Sequence, residues 1–394
     1  MELEKIMGID EKYYMNTFGK RTPVAFDHGK GMYLYTEDGE EYLDMFAGIA
    51  VTSLGHCHEG FTKAVTEQVG KLLHTSSLYY IENQALLAKK ICDSSVADRV
   101  YFANSGAEAN EGAMKLAKIY FYKQGKEKYE IITLNSSFHG RTLATVAATG
   151  QPKYQKPYKP LVPGIKHVDI NDFEALEAAV TDKTCAIMLE VVQGESGVHL
   201  CTDEYLLKVR KLCDEKEIIL IFDEVQTGMG RTGEMFAYQT TPIEPDIFTL
   251  AKALGNGVPI GALCAKEFVA KGFEPGDHGG TFGGNPLATA AGLAVFEAFE
   301  KENIVRNARE MGAYFEEKVK ALNSPFISEI RRKGLMIGLQ MPEGKAAEVQ
   351  KKLFANHVLV GSVGGHTLRI LPPLIITKTE IDIFIAKLEE ALSI

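Results

Sequence analysis

Lys252 and Asp223 are the residues of this chain best suited to covalent chemistry. Lys252 is the one cation in Thr249-Leu250-Ala251-Lys252-Ala253-Leu254-Gly255. Among leucines and alanines a lysine amine loses hydration, its pKa falls, and it becomes a nucleophile. Asp223 stands 29 residues earlier, directly after the five apolar residues Ile218-Ile219-Leu220-Ile221-Phe222. Such a run reads as a buried strand, and open α/β sheets place their ligands at the carboxyl ends of strands. A buried lysine with a buried carboxylate is the equipment of a Schiff-base enzyme using pyridoxal phosphate, in which the aspartate keeps the pyridine nitrogen protonated. A core strand with a turn-capping aspartate and a lysine that snorkels to solvent fits the same stretch.

Other stretches suit a flat, anionic ligand. In Tyr101-Phe102-Ala103-Asn104-Ser105-Gly106-Ala107-Glu108-Ala109-Asn110 a strand passes into a helix. Ser105 and Glu108 have capping-box spacing and Gly106 permits close backbone approach, so the helix start could hold a phosphate; an ordinary capped helix has the same pattern. Ser136-Ser137-Phe138-His139-Gly140-Arg141-Thr142 offers aromatic stacking and an arginine for a carboxylate, against core packing and a surface ion pair. Gln226, three residues past Asp223, can bond a phenolic oxygen. In Gly279-Gly280-Thr281-Phe282-Gly283-Gly284-Asn285-Pro286, Thr281 is a candidate phosphate contact, and a plain loop is the alternative.

The elements that must position these residues alternate between helix and strand from about 58 to 265, which favours βαβ units around a mostly parallel sheet. Expected strands are Arg99 to Ala103, Glu130 to Leu134, Cys185 to Val192, Ile218 to Phe222, Ile247 to Leu250 and Ile260 to Ala265. Asp38-Gly39 predicts a hairpin. Residues 1 to about 30 show no strong period and read as an arm. Helices are expected from Pro286 to about Lys301 and on to about Leu322, and a last one presents Ile381, Phe384, Ile385, Leu388 and Leu392 on one face. The expected division is an arm with part of a small domain at 1–50, a large domain at 51–285 and a C-terminal small domain at 286–394.

The 394 residues can bury a large core without disulfides. Lys plus Arg number 43 against 52 Asp plus Glu, a net charge of −9, which argues against nucleic acid as the main ligand. The six cysteines are scattered with no CxxC pair, as expected of reduced thiols in a cytoplasmic protein. His56-Cys57-His58 lacks the second cluster that a zinc site needs, so no metal is expected. No apolar run approaches the roughly 20 residues of a membrane span.

Taken together, SGAEAN, FHGRT, DEVQTGMGRTG, LAKALG and GGTFGGNP, in this order, resemble the class III, fold type I pyridoxal-phosphate aminotransferases. The likeness runs from Met15-Asn16-Thr17 to Leu368-Arg369-Ile370-Leu371-Pro372-Pro373. It implies an α/β fold with a large, mostly parallel sheet and a smaller α/β domain drawn from both chain ends. By residue, it implies Lys252 as the Schiff-base lysine and Asp223 as partner of the ring nitrogen. Gly106 and Ala107 would bind the phosphate, Phe138 and Val225 would pack the two ring faces, and Gln226 would bond the ring hydroxyl. Thr281 would reach the cofactor of a second subunit, making a homodimer with active sites at the interface. Arg141 and Arg369 resemble carboxylate-binding arginines, and Glu195 the glutamate that pairs with Arg369 when no second carboxylate is present. The implied reaction moves the terminal amino group of N2-acetyl-L-ornithine to 2-oxoglutarate, giving N-acetyl-L-glutamate 5-semialdehyde and L-glutamate in arginine synthesis. Ornithine, 4-aminobutyrate and succinyl-diaminopimelate are alternative donors, and a racemase on this fold is a different class of reading. Three positions depart from the family pattern: Gly280 beside the substrate, Asn256 in place of a glycine, and Glu59 in place of a proline.

Overall fold

The computed structural model describes residues 1–393. Its strands are β1 Phe26–Lys30, β2 Tyr33–Thr36, β3 Glu41–Asp44, β4 Arg99–Ala103, β5 Glu130–Leu134, β6 Ile165–Val168, β7 Thr184–Leu189, β8 Val192–Gln193 and β9 His199–Leu200. They continue as β10 Ile219–Asp223, β11 Ile247–Leu250, β12 Gly261–Ala265, β13 Glu329–Lys333, β14 Met336–Gln340, β15 Val358–Leu359, β16 Gly361–Val363 and β17 Thr367–Ile370.

Seven strands form the main sheet in the order β4-β12-β11-β10-β7-β5-β6, and only β12 runs against its neighbours. Strands covered on both faces read as unbroken apolar runs, and β7, β10 and β11 are buried at every position. Alternation still sorts their side chains. Leu220, Phe222, Ile187 and Leu189 enter one core, while Ile219, Ile221, Ala186 and Met188 enter the other, beneath Ala113, Met114, Ala117 and Phe121 of the helix Gly106–Tyr122. By the same parity Asp223 belongs to the face that this helix covers.

The expected strand Cys185 to Val192 is instead two elements. Pairing with β10 stops at Leu189, the chain leaves the sheet edge at Glu190, and Val192 opens a short hairpin of β8 and β9. Residues 1 to 30 hold a helix, Leu3–Tyr13, that no sequence period announced. It buries none of its residues: Leu3, Ile6 and Met7 stand at helical spacing, but Asp10 breaks the stripe after two turns, too short a pattern to read as a period.

The C-terminal region forms a second sheet, β13-β14-β17-β16, packed by the helices Ile304–Ala321 and Lys345–Ala355. The helix Lys378–Leu392 packs on those two helices and starts at a capping box of Thr377 and Glu380. β1, β2 and β3 form a meander whose last strand pairs in parallel with β15, Leu43 opposite Val358, so the two chain ends share a sheet. Asn256 adopts φ 45°, a conformation that asparagine tolerates better than most residues. Its Oδ1 accepts the Leu54 N–H at 2.9 Å, an anchor that glycine would lack. Among the described residues all six cysteines are free, and no helix is long and apolar enough to cross a membrane.

Candidate active site

The site forms at the carboxyl ends of β7, β10 and β11. Asp223 lies opposite Thr249, and Leu189 lies opposite Phe222, which brings Glu190 beside Asp223. Asp223 is buried and accepts three hydrogen bonds. The Val225 N–H reaches Oδ1 at 3.0 Å, while Asn110 Nδ2 and His139 Nδ1 each reach Oδ2 at 2.8 Å. Asn110 also donates to the His139 carbonyl at 2.8 Å and accepts from Thr249 Oγ1 at 2.7 Å. A buried network in which nearly every member is satisfied holds its groups in one geometry. From sequence, Phe138 and Arg141 carry expected roles and the His139 between them none; Asn110 and Thr249 carry none either. The available signal was an amide one helical turn inside a helix start that is otherwise small residues and the capping Glu108, at Asn110.

Beyond Leu250 the chain leaves β11, and Lys252 sits at φ 46° at the start of a short 3-10 turn, Lys252–Leu254. A long side chain in left-handed backbone is a strained placement of the kind that clusters at functional sites. Burial holds the Lys252 ammonium below the ordinary lysine range, partly offset by Glu195, with Arg369 lowering it further and Asp223 and Glu190 opposing. Glu190 was not among the expected site residues. Burial first, and then the neighbouring Asp223 charge, push its carboxyl well above the usual range; its Oε2 accepts the Phe138 N–H at 3.0 Å.

At the start of the helix Gly106–Tyr122, Ser105 Oγ accepts the Glu108 N–H at 3.2 Å. The reciprocal half of the expected capping box is displaced by one residue, because the Glu108 carboxylate takes the N–H of Asn104 at 2.6 Å rather than that of Ser105. Among the described residues the N–H groups of Gly106 and Ala107 have no protein acceptor, which leaves two donors at the positive end of a long helix. Gly106 packs so tightly on Val225 that a Cβ there would lie 2.7 Å from a valine methyl. Val225 and Phe138 are both half-buried, as ring-packing side chains that wall a cleft would be.

Glu195 lies at the tip of the β8–β9 hairpin, and Arg369 on β17. Arg369 Nη1 meets Glu195 Oε1 at 2.8 Å and also donates to the Gly194 carbonyl at 2.9 Å. Burial by itself raises the Glu195 carboxyl, but Arg369, Lys252 and Gln226 together hold it below the usual range. Gln226 Nε2 donates to Glu195 Oε1 at 3.0 Å, while its Oε1 is buried without a partner. Arg141 is exposed, lies 3.8 Å above the Tyr154 ring and 5.6 Å from the Phe138 ring, and pairs with no acid among the described residues. The structure thus brings Lys252, Asp223, Gln226, Glu195 and Arg369 together. Gly280 and Thr281 stay apart, in an exposed loop where the near neighbour of Gly280 is the Tyr101 hydroxyl.

A seven-stranded α/β sheet with a half-buried lysine and a buried aspartate at its carboxyl edge is the frame of a lysine-based transferase, and comparison with known proteins makes that class specific. The chain matches the class-III aminotransferase family over residues 14–392 and belongs to it. It is 50% identical over 393 residues to the acetylornithine aminotransferase of Methanocaldococcus jannaschii, covering 99% of this chain and 98% of that protein. Identity to the acetylornithine aminotransferase of Gloeobacter violaceus is 52% over 383 residues, covering 96% and 95%. Among solved structures, the ornithine aminotransferase of Toxoplasma gondii, described with pyridoxal phosphate at partial occupancy in its active site, superposes with a TM-score of 0.95. It is 31% identical, covering 99% of this chain and 94% of that one. The acetylornithine aminotransferase of Elizabethkingia anophelis superposes with a TM-score of 0.88 at 29% identity, covering 100% and 99%.

Pyridoxal 5'-phosphate is the cofactor of this class, and the residues present fit it. The unpartnered N–H groups of Gly106 and Ala107 suit its phosphate, the half-buried Phe138 and Val225 its ring, and the orphaned Gln226 Oε1 its ring hydroxyl.

Proposed function

We propose that the chain transfers the terminal amino group of N2-acetyl-L-ornithine to 2-oxoglutarate, forming N-acetyl-L-glutamate 5-semialdehyde and L-glutamate in arginine biosynthesis. When bound, pyridoxal phosphate supplies a carbonyl that takes up the amino group and a ring that withdraws electrons. Asp223, fixed by Asn110, His139 and the Val225 N–H, holds the ring nitrogen's proton. Lys252 Nζ moves the proton off the amine-bearing carbon, and the burial that lowers its pKa suits it to act as a base near neutral pH. Phe138, held through its N–H by Glu190, and Val225 would pack against the ring.

The Arg369–Glu195 pair carries the choice of substrate. A transaminase accepts two donors in turn, and here glutamate brings two carboxylates while acetylornithine brings one, its other polar group being a neutral amide. Leaving Arg369 unpaired in a closed site is costly, so an acid that pairs with it for one substrate and withdraws for the other serves both. Arg141, which has no acid partner, takes the carboxylate common to both substrates. Glu195→Ala is expected to raise the ratio of kcat/KM for glutamate over acetylornithine by about tenfold. An unchanged ratio in the two half-reactions contradicts the switch.

The same reading makes the enzyme a homodimer, with Thr281 reaching the second subunit's cofactor. It is supported by the exposed apolar residues Leu72, Leu73, Leu78, Tyr79, Tyr80 and Phe282, more than a lone subunit commonly leaves in water. Sedimentation is expected to give a dimer, with Leu78→Glu/Tyr80→Glu shifting it to monomers that have lost activity. A fully active monomer counts against the shared site.

A further inference from the structure

The hairpin carrying Glu195 is clamped by the C-terminal sheet. β8 and β9 pair Gln193 with His199 and leave residues 194–197 as a turn at the tip. An arginine reaches each end of that turn: Arg369 Nη1 donates to the Gly194 carbonyl at 2.9 Å, and Arg331 Nε donates to the Gly197 carbonyl at 2.9 Å.

Both arginines stand in one cross-strand row. Arg331 on β13 faces Gly338 on β14, and Gly338 faces Arg369 on β17, so the three positions project to the same side of the sheet. The middle position is empty because the hairpin backbone occupies it. A Cβ on Gly338 would lie 2.9 Å from the Gly197 carbonyl oxygen and 3.1 Å from Val198 Cβ. Arg331 is buried, and its other N–H groups are held by Glu329, by Gln340 Oε1 at 2.9 Å and by Thr367 Oγ1 at 3.1 Å, which aims Nε at Gly197. Val198, also buried, sits at φ 63°. A β-branched residue in that region is strained and keeps its place only because its surroundings impose it.

We propose that Arg331 is a positioning residue for substrate discrimination: by holding the Gly197 carbonyl it fixes the hairpin tip so that Glu195 meets Arg369. The inference rests on the reading of Glu195 as a switch and extends it to the device that sets the balance. Arg331 acts through the hairpin backbone and not on the substrate. With its bond lost, the tip moves more freely and Glu195 spends less time on Arg369. Arg369 is then more open to a second carboxylate, and a donor with only one carboxylate, which Arg141 takes, leaves Arg369 an unpaired cation.

The test uses the cofactor-loaded enzyme and three variants. Arg331→Lys keeps the charge but cannot make the fork of bonds, and Gly338→Ala displaces the Gly197 carbonyl while leaving both arginines in place. Glu195→Ala reports on the switch itself. Half-reaction kcat/KM is measured with glutamate and with N2-acetylornithine, and hydrogen–deuterium exchange across residues 194–198 is followed in the cofactor-free proteins. The expected result is a rise in the glutamate-to-acetylornithine ratio of about fivefold in Arg331→Lys and in Gly338→Ala, with faster exchange at the tip and unchanged cofactor affinity. Equal losses with both donors, or an unchanged ratio, overturn the proposal. Should Arg331→Lys fail to fold, Gly338→Ala decides alone. A shift in Glu195→Ala with none in the clamp variants overturns the clamp and spares the switch; no shift in Glu195→Ala overturns both.

Discussion

With alanine at position 252, turnover is expected to fall by at least about ten-thousandfold, because one side chain supplies both the nucleophile and the proton carrier. The same change is expected to leave folding intact or improve it. Lys252 is half-buried, the desolvation of its ammonium depresses its pKa, and it is held in left-handed backbone. Alanine removes the desolvated cation, and residues kept for activity against stability are commonly those whose loss raises the melting temperature. Cofactor is expected to stay bound through the proposed contacts at the start of the helix Gly106–Tyr122 and at Asp223, although the covalent link is gone. The three readouts are turnover, cofactor retention on dialysis and the melting temperature of the cofactor-free protein. Sustained turnover by Lys252→Ala contradicts the assignment, and a steep fall in melting temperature contradicts the account of the lysine as strained and desolvated.

The second large effect is expected at Asp223, where two substitutions separate chemistry from stability. Asp223→Asn keeps the shape but replaces an acceptor with an amide that cannot hold the ring nitrogen's proton, and kcat is expected to drop by about a thousandfold or more. Stability falls less than in the alanine variant, by about 1–3 kcal/mol, since an amide oxygen in the Oδ2 position still accepts from Asn110 Nδ2 and His139 Nδ1 while the Val225 N–H loses its acceptor. Asp223→Ala leaves both donors and the Val225 N–H without their acceptor in a buried site. Unsatisfied buried groups cost about 1–3 kcal/mol each, so with three donors orphaned this variant is expected to lose roughly 3–9 kcal/mol as well as its activity. Denaturant melts with single-turnover rates check the pair. Equal stability losses in the two variants contradict the network as drawn.

Candidate site residues that stand at the end or in the midst of an apolar run were legible in the sequence. Asp223 closes a run of large apolar residues, Lys252 interrupts a set of small ones, and strands buried on both faces leave such interruptions conspicuous. The partners of Asp223 were not legible. Asn110 lies 113 residues away and His139 84, and they meet it because register and parity turn Asp223 toward the helix that carries Asn110. Thr249 and Glu190 join them by the same register, which no single stretch of sequence displays. The helix Leu3–Tyr13 was missed because its apolar stripe, Leu3, Ile6 and Met7, is short, is interrupted at Asp10, and buries none of its residues. Arg331 went unread because two arginines and a lysine in Arg331-Arg332-Lys333 look like a solvated edge, and only the pairing of β13 with β14 sets the first of them beside the Glu195 hairpin.

The central claim is that one site takes an amino group from acetylornithine and gives it to 2-oxoglutarate. The direct measurement mixes purified, cofactor-loaded protein separately with N2-acetylornithine, ornithine, 4-aminobutyrate and glutamate, and follows the visible absorbance of the bound cofactor. Rapid loss of that absorbance with acetylornithine and with glutamate, restored by 2-oxoglutarate, is the result expected. Rapid loss with glutamate and with ornithine or 4-aminobutyrate, but not with acetylornithine, would contradict the assigned donor, and no loss with any of the four would contradict transamination itself.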